Sequence, residues 1–186
     1  MNNTKLWRAL VTPFEEHGII DFDSLDASLR LQEAAGNGIL LLGSTGEGLA
    51  LDTEEKKQVV VYAMGMDLKV PVMAGIGGYK LHKQIDFIKR CDLSNVDAYL
   101  LVTPLYAKPG KHGQIDWFSK LLEVTDKPCM LYNVPSRAGT KLHPEVPKVL
   151  SERFDNLMGV KEASGSVEEF KTFRETAPDV DFYSGD

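Results

Sequence analysis

The stretch LMGVKEASGS, Leu157–Ser166, begins as an apolar run, carries Lys161 at its end and closes on small polar residues. A short run without polar alternation reads as a strand buried on both faces, and the small polar residues read as the loop that follows it. The same form recurs along the chain as RALVTP, GILLLG, VPVMAG, AYLLVTP, PCMLYN and VDFYSG. The intervals are very roughly 30 residues, the length of a strand–loop–helix unit. Amphipathic stretches lie between the runs. DSLDASLRLQEA offers Asp23 or Ser24 as its cap, and DTEEKKQVVVYAMGM offers Asp52 or Thr53, followed by Glu54 and Glu55 to suit a helix N-terminus. Alternation of this kind predicts an α/β fold with a parallel sheet.

Seven such strands and six helices suit an open doubly wound sheet or a (β/α)8 barrel. Polar and glycine-rich segments follow nearly every run: TPF, GSTGEG, GIGG, TPLY, YNVPSR, KEASGS and SGD. A barrel gathers the carboxyl ends of all its strands at one mouth, whereas an open sheet gathers only those near its switch point. The barrel fits better. A complete barrel takes about 250 residues, so the expectation is one barrel domain over 1–186, incomplete after about the seventh strand.

The totals exclude several classes of function. Net charge is −6 over 186 residues, with no basic run, so nucleic acid is not an expected partner. No segment reaches the roughly 20 apolar residues of a membrane span. The start, MNNTKLWRALVTPF, lacks the form of a signal peptide, and the expected compartment is the cytoplasm. Cys91 and Cys129 make neither a disulfide framework nor a metal-binding pair at useful spacing.

Four mouth segments carry chemistry. Lys161 is placed to project from the sixth strand toward the barrel axis. Desolvation there would favour the neutral amine, a nucleophile suited to Schiff-base formation with a carbonyl compound; the alternative is a lysine that snorkels to solvent. In GSTGEG, glycines allow close backbone approach, and Ser44 and Thr45 add hydroxyls suited to a small carboxylate. The same segment also reads as a plain Gly-rich turn, and it lacks the lysine of a phosphate-binding P-loop. YNVPSRAG supplies Tyr132 at a strand end, able to relay protons, and Arg137 in the loop beyond, able to clamp a carboxylate; a buried aromatic and a solvated arginine are the alternatives. TPLYAKPG supplies Tyr106. Together these are the parts of carbonyl chemistry on a keto acid.

In that order and spacing, GSTGEG, TPLYAKP, YNVPSRAG and GVKEASG resemble the dihydrodipicolinate synthase family. Its members are pyruvate-dependent barrels of class I aldolase type, grouped with N-acetylneuraminate lyase. The resemblance covers the chain from the first strand onward but only about two-thirds of a family member. It implies 4-hydroxy-tetrahydrodipicolinate synthesis in the diaminopimelate route to lysine. Pyruvate would form an imine on Lys161, and its enamine would add to L-aspartate 4-semialdehyde. Tyr132, Thr45 and Tyr106 would relay protons, with Tyr106 lent by a neighbouring subunit of a dimer or tetramer. Ser44 and Thr45 would hold the pyruvate carboxylate, and Arg137 that of the semialdehyde. No metal or organic cofactor is implied.

Departures from the family pattern accompany the likeness. Leu105 replaces a tyrosine common in relatives, Thr53 and Lys56 stand where lysine-sensitive relatives have histidines, and Tyr79 and Lys83 replace an asparagine and a glutamate. Feedback by lysine is therefore expected to be weak or absent. Two other functions stay open: a pyruvate-dependent lyase of sialic or keto-deoxy sugar acids, against which Arg137 speaks, and a shortened, inactive relative that acts as an assembly partner. Because an open barrel leaves two unpaired edges, the 186-residue chain is expected to self-associate or be partly disordered, with little activity.

Overall fold

A computed structural model describes residues 4–185; Asp186, the last residue of the seventh mouth segment, lies outside the described residues. The strands are β1 (Trp7–Ala9), β2 (Gly38–Leu41), β3 (Val72–Ile76), β4 (Ala98–Val102), β5 (Cys129–Asn133), β6 (Leu157–Glu162) and β7 (Phe182–Ser184). They form one parallel sheet in the order β1-β2-β3-β4-β5-β6-β7. A doubly wound sheet would reverse its order at a switch point. This sheet never does, and the barrel expectation is met.

The helices are α1 (Phe22–Ala34), α2 (Thr53–Gly65), α3 (Leu81–Leu93), α4 (Lys111–Leu122), α5 (Pro135–Ala138), α6 (Glu145–Ser151) and α7 (Val167–Thr176). Asp52 caps α2 in a capping box with Glu55. The cap of α1 is Asp21, not Asp23 or Ser24. Its carboxylate accepts from the Ser24 backbone N–H at 3.0 Å and the Ser24 hydroxyl at 2.5 Å, which draws Phe22 into the first turn.

The absence of polar alternation in the strands has a direct cause. Alternate residues enter two different apolar layers. Ile39 and Leu41, Tyr99 and Leu101, and Cys129 and Leu131 face the helices. Leu40, Leu100, Met130 and Tyr132 face the barrel interior, together with Met73 and Val102. Trp7 and Tyr183, from the strands at the two edges, pack on that same inner cluster. The Tyr183 hydroxyl also donates to the Thr4 carbonyl at 3.3 Å. The sheet is thus curled until its edges approach, although β1 and β7 do not pair among the described residues.

A bulge in β6 sets which residues face inward. Cys129 pairs with Leu157 but Met130 pairs with Gly159, so Met158 and Gly159 together oppose one residue of β5. The extra residue shifts the alternation by one position. Val160 then shares the helix-facing layer with Leu131, and Lys161 pairs with the inward-facing Tyr132. Gly159 has φ +156°, and a Cβ there would come within 2.7 Å of the Asp181 carbonyl oxygen. We expect Gly159→Ala to lower stability by about 2–4 kcal/mol, measured as a shifted denaturant midpoint; an unchanged midpoint would mean that the bulge relaxes around a methyl group.

Candidate active site

The loop after β2 is held tightly by its own backbone. Leu42 and Glu47 adopt left-handed conformations, with φ 58° and 52°. A Cβ on Gly48 would lie 2.1 Å from the Leu42 carbonyl oxygen, so no larger residue fits that turn. Thr12, buried beyond β1, donates its hydroxyl to the Gly46 carbonyl at 2.7 Å and ties the loop to the neighbouring strand. Ser44 and Thr45 are left exposed at the rim.

At the ends of β5 and β6 the paired residues Tyr132 and Lys161 stand side by side. Lys161 Nζ lies 4.7 Å from the centroid of the Tyr132 ring, which is itself buried. Lys161 is half-buried. The next pair, Asn133 and Glu162, faces the opposite way and is buried beneath the helices. Asn133 Nδ2 donates to Glu162 Oε2 at 2.5 Å, and Asn133 Oδ1 accepts from the Leu142 N–H at 2.8 Å. The Ser164 N–H donates to Glu162 Oε1 at 2.6 Å. These bonds fix the β5–β6 register directly behind Tyr132 and Lys161. Asn133→Ala would remove one of the donors to the buried Glu162 carboxyl and the acceptor for Leu142. It is expected to cost roughly 2–4 kcal/mol in thermal or chemical unfolding; a loss under 1 kcal/mol would mean that water replaces the amide.

Arg137 lies in the short helix α5 rather than in an irregular loop. Pro135 begins that helix and Gly139 ends it in a left-handed C-cap. The exposed guanidinium of Arg137 lines a cavity of about 610 Å³ together with Ser44, Tyr132 and Leu105. Thr45, Tyr106 and Lys161 are not among the cavity's lining residues. Tyr106 is 90% exposed, with φ 67°, and stands away from the mouth. The structure therefore gathers Ser44, Tyr132 and Arg137 around one space with Lys161 at its flank. It leaves Thr45 on the rim and Tyr106 outside.

Asn133, Glu162 and Thr12 are supporting residues that the reading of the sequence missed. For Asn133 and Glu162 a signal was present in the strand-end pairs YN and KE, where one polar residue of each pair must face the helices.

Other reactive side chains are quiet. Cys91 and Cys129 are buried, and burial pushes the Cys91 thiol up to about 12 and raises that of Cys129 as well. Among the described residues no group of His, Cys, Asp and Glu is placed to hold a metal ion. No described helix is long and apolar enough to cross a membrane.

Known proteins resemble this chain in sequence and in fold. The chain is 48% identical over 184 residues to the 4-hydroxy-tetrahydrodipicolinate synthase of Francisella philomiragia, covering 99% of this chain and 62% of the relative. It is 45% identical over 184 residues to that of Francisella tularensis subsp. novicida, again covering 99% of this chain and 62% of the relative. The solved structure of the synthase from Methylacidiphilum fumariolicum superposes with a TM-score of 0.93 at 33% identity, covering 98% of this chain and 62% of that one. The chain thus spans a little over three-fifths of its relatives' length. Residues 2–186 match the profile of the dihydrodipicolinate synthetase family, and with the barrel, the mouth segments and these relatives in agreement, the chain belongs to that family.

Proposed function

We propose that this chain carries the pyruvate-binding, imine-forming part of a 4-hydroxy-tetrahydrodipicolinate synthase. The juxtaposition of Lys161 with Tyr132, 4.7 Å from Nζ to the ring centroid, at the mouth of a curled parallel sheet is the observation that carries it. The Lys161 amine adds to the ketone carbon of pyruvate, and loss of water gives the imine. Removal of a methyl proton then gives an enamine, whose carbon attacks the aldehyde of L-aspartate 4-semialdehyde. The amine of that substrate finally attacks the imine carbon, closes the ring and releases the lysine. The imine itself is the electron sink, so neither a metal nor an organic cofactor takes part.

Tyr132, beside the amine, passes protons during imine formation and ring closure. Thr45 and Tyr106 extend that relay, and Ser44 with Thr45 binds the pyruvate carboxylate. Arg137, across the cavity, takes the carboxylate of the semialdehyde through a bidentate contact. Its position on the cavity wall supports a synthase over a sugar-acid lyase. Tyr106, with 90% of its surface exposed, suits a residue lent to a neighbouring copy in a homo-oligomer. The reaction is placed in the cytoplasm.

Borohydride added with pyruvate tests the assignment. It should reduce the imine and leave a three-carbon acid on the peptide that contains Lys161. An adduct confined to other lysines would overturn it.

A further inference from the structure

Lys161 stands on β6 between two neighbours of unequal bulk. On the β5 side is the buried ring of Tyr132, 4.7 Å from Nζ. On the β7 side, Tyr183 pairs with Lys161, and Gly185 follows two residues later on the same inner face. The Gly185 N–H donates to the Glu162 carbonyl at 2.7 Å, which holds it against the end of β6. A Cβ at Gly185 would lie 2.9 Å from Cε of Lys161 and 2.6 Å from Cβ of Ala163.

Other crowded glycines answer to the backbone. A Cβ on Gly46, Gly48 or Gly75 would first meet a carbonyl oxygen, at 2.7, 2.1 and 2.6 Å. Those residues let the chain pass close to itself. Gly185 differs in kind, because the two atoms its Cβ would meet first are side-chain carbons. Its φ also lies outside the left-handed region, so its backbone is open to any residue. What the position excludes is a side chain, and what a side chain would displace is the lysine stem. A flexible four-carbon stem yields more readily than two paired strands. With Tyr132 closing the other side, the way left open is outward, and the amine would move toward solvent.

We propose that Gly185 is a positioning residue for Lys161: its missing side chain leaves the slot in which the lysine stem lies, and so sets where in the mouth the amine meets a ketone. The proposal rests on the imine reading of Lys161. A shift of about 1 Å at a reacting atom can cost on the order of a hundredfold in rate, so a single methyl group here should be felt.

Gly185→Ala in the 186-residue chain tests it with two electrophiles, each trapped by borohydride and located by peptide mass. Pyruvate must meet the amine inside the mouth, whereas formaldehyde reacts with any exposed amine. Pyruvate trapping on Lys161 should fall about tenfold or more, while formaldehyde labelling of Lys161 rises. Unchanged pyruvate trapping, or a fall in both labels, would overturn the proposal. Ala163→Gly added to Gly185→Ala gives a second variant, which removes the contact between the two Cβ atoms and keeps the one with Lys161. Its denaturant midpoint should return toward that of the parent chain with pyruvate trapping still low. Recovery of trapping together with stability would reduce Gly185 to a structural role and end the proposal. If the parent chain gives no pyruvate adduct on Lys161, the imine reading fails by itself. The slot is then judged by formaldehyde alone, and no rise in Gly185→Ala refutes it.

Discussion

On the proposed function, Lys161→Met is expected to abolish the borohydride-trapped pyruvate adduct and, in a chain extended to its relatives' length, to lower synthase turnover by about a thousandfold or more, the scale on which loss of a covalent nucleophile is felt. Three other lysines, Lys56, Lys80 and Lys83, line the cavity that Tyr132 borders, so trapping is a demanding test of position. What sets Lys161 apart is its seat. It is half-buried on the inner face of β6, beside the buried ring of Tyr132, while the side chains of Lys80 and Lys83 are exposed. Methionine keeps the length and the apolar stem, so the fold should survive and the loss will report the amine. Mass spectrometry of the digested protein gives the answer. A persistent adduct in the variant, carried on one of the cavity lysines, would move the chemistry away from β6.

Arg137→Ala is expected to separate the two substrates. Loss of the proposed bidentate contact should, in a chain extended to its relatives' length, reduce kcat/KM for the semialdehyde on the order of a hundredfold, with pyruvate trapping on Lys161 preserved. The guanidinium is exposed on α5 at the cavity wall, and the residue that flanks Lys161 is Tyr132. Arg137→Lys should recover only part of the loss, because an ammonium cannot present two parallel donors to one carboxylate. Equal loss of trapping and turnover in the alanine variant would assign Arg137 to pyruvate instead.

The strands were legible because both of their faces are apolar. Ile39, Leu40 and Leu41 read as one unbroken run, and the structure divides them between the helix layer and the interior. The barrel was legible from the ends of the runs, where nearly every strand is followed by polar or glycine-rich residues. The mouth was legible too, because Ser44, Tyr132, Arg137 and Lys161 all fall at such ends.

What escaped were features set by a partner rather than by local pattern. Asp21 caps α1 because Ser24 reaches back to it, and nothing in the spacing favours it over Asp23. Arg137 reads as a loop residue after a proline, yet Pro135 and the left-handed Gly139 close a single helical turn around it. Asn133 and Glu162 look like further mouth residues until the phase of β6 is known. That phase depends on the register against β5, which the run Met158–Gly159–Val160 does not disclose.

The bulge at Met158–Gly159 makes residue count, more than residue identity, the quantity that guards this site. If one residue were inserted between Val160 and Lys161, composition, strand number and the other mouth motifs would remain almost unchanged. Yet the bulge already absorbs one extra residue, and with a second the parity beyond it would invert, setting Lys161 opposite Asn133 on the helix-facing side; loss of Gly159 would instead flatten the bulge and keep Lys161 opposite Tyr132. Substitution scans would pass over that hazard, since each side chain would be tested in its proper phase. A scan of single-residue insertions would find it at once, as a narrow zone of intolerance in a strand whose individual apolar residues are otherwise exchangeable.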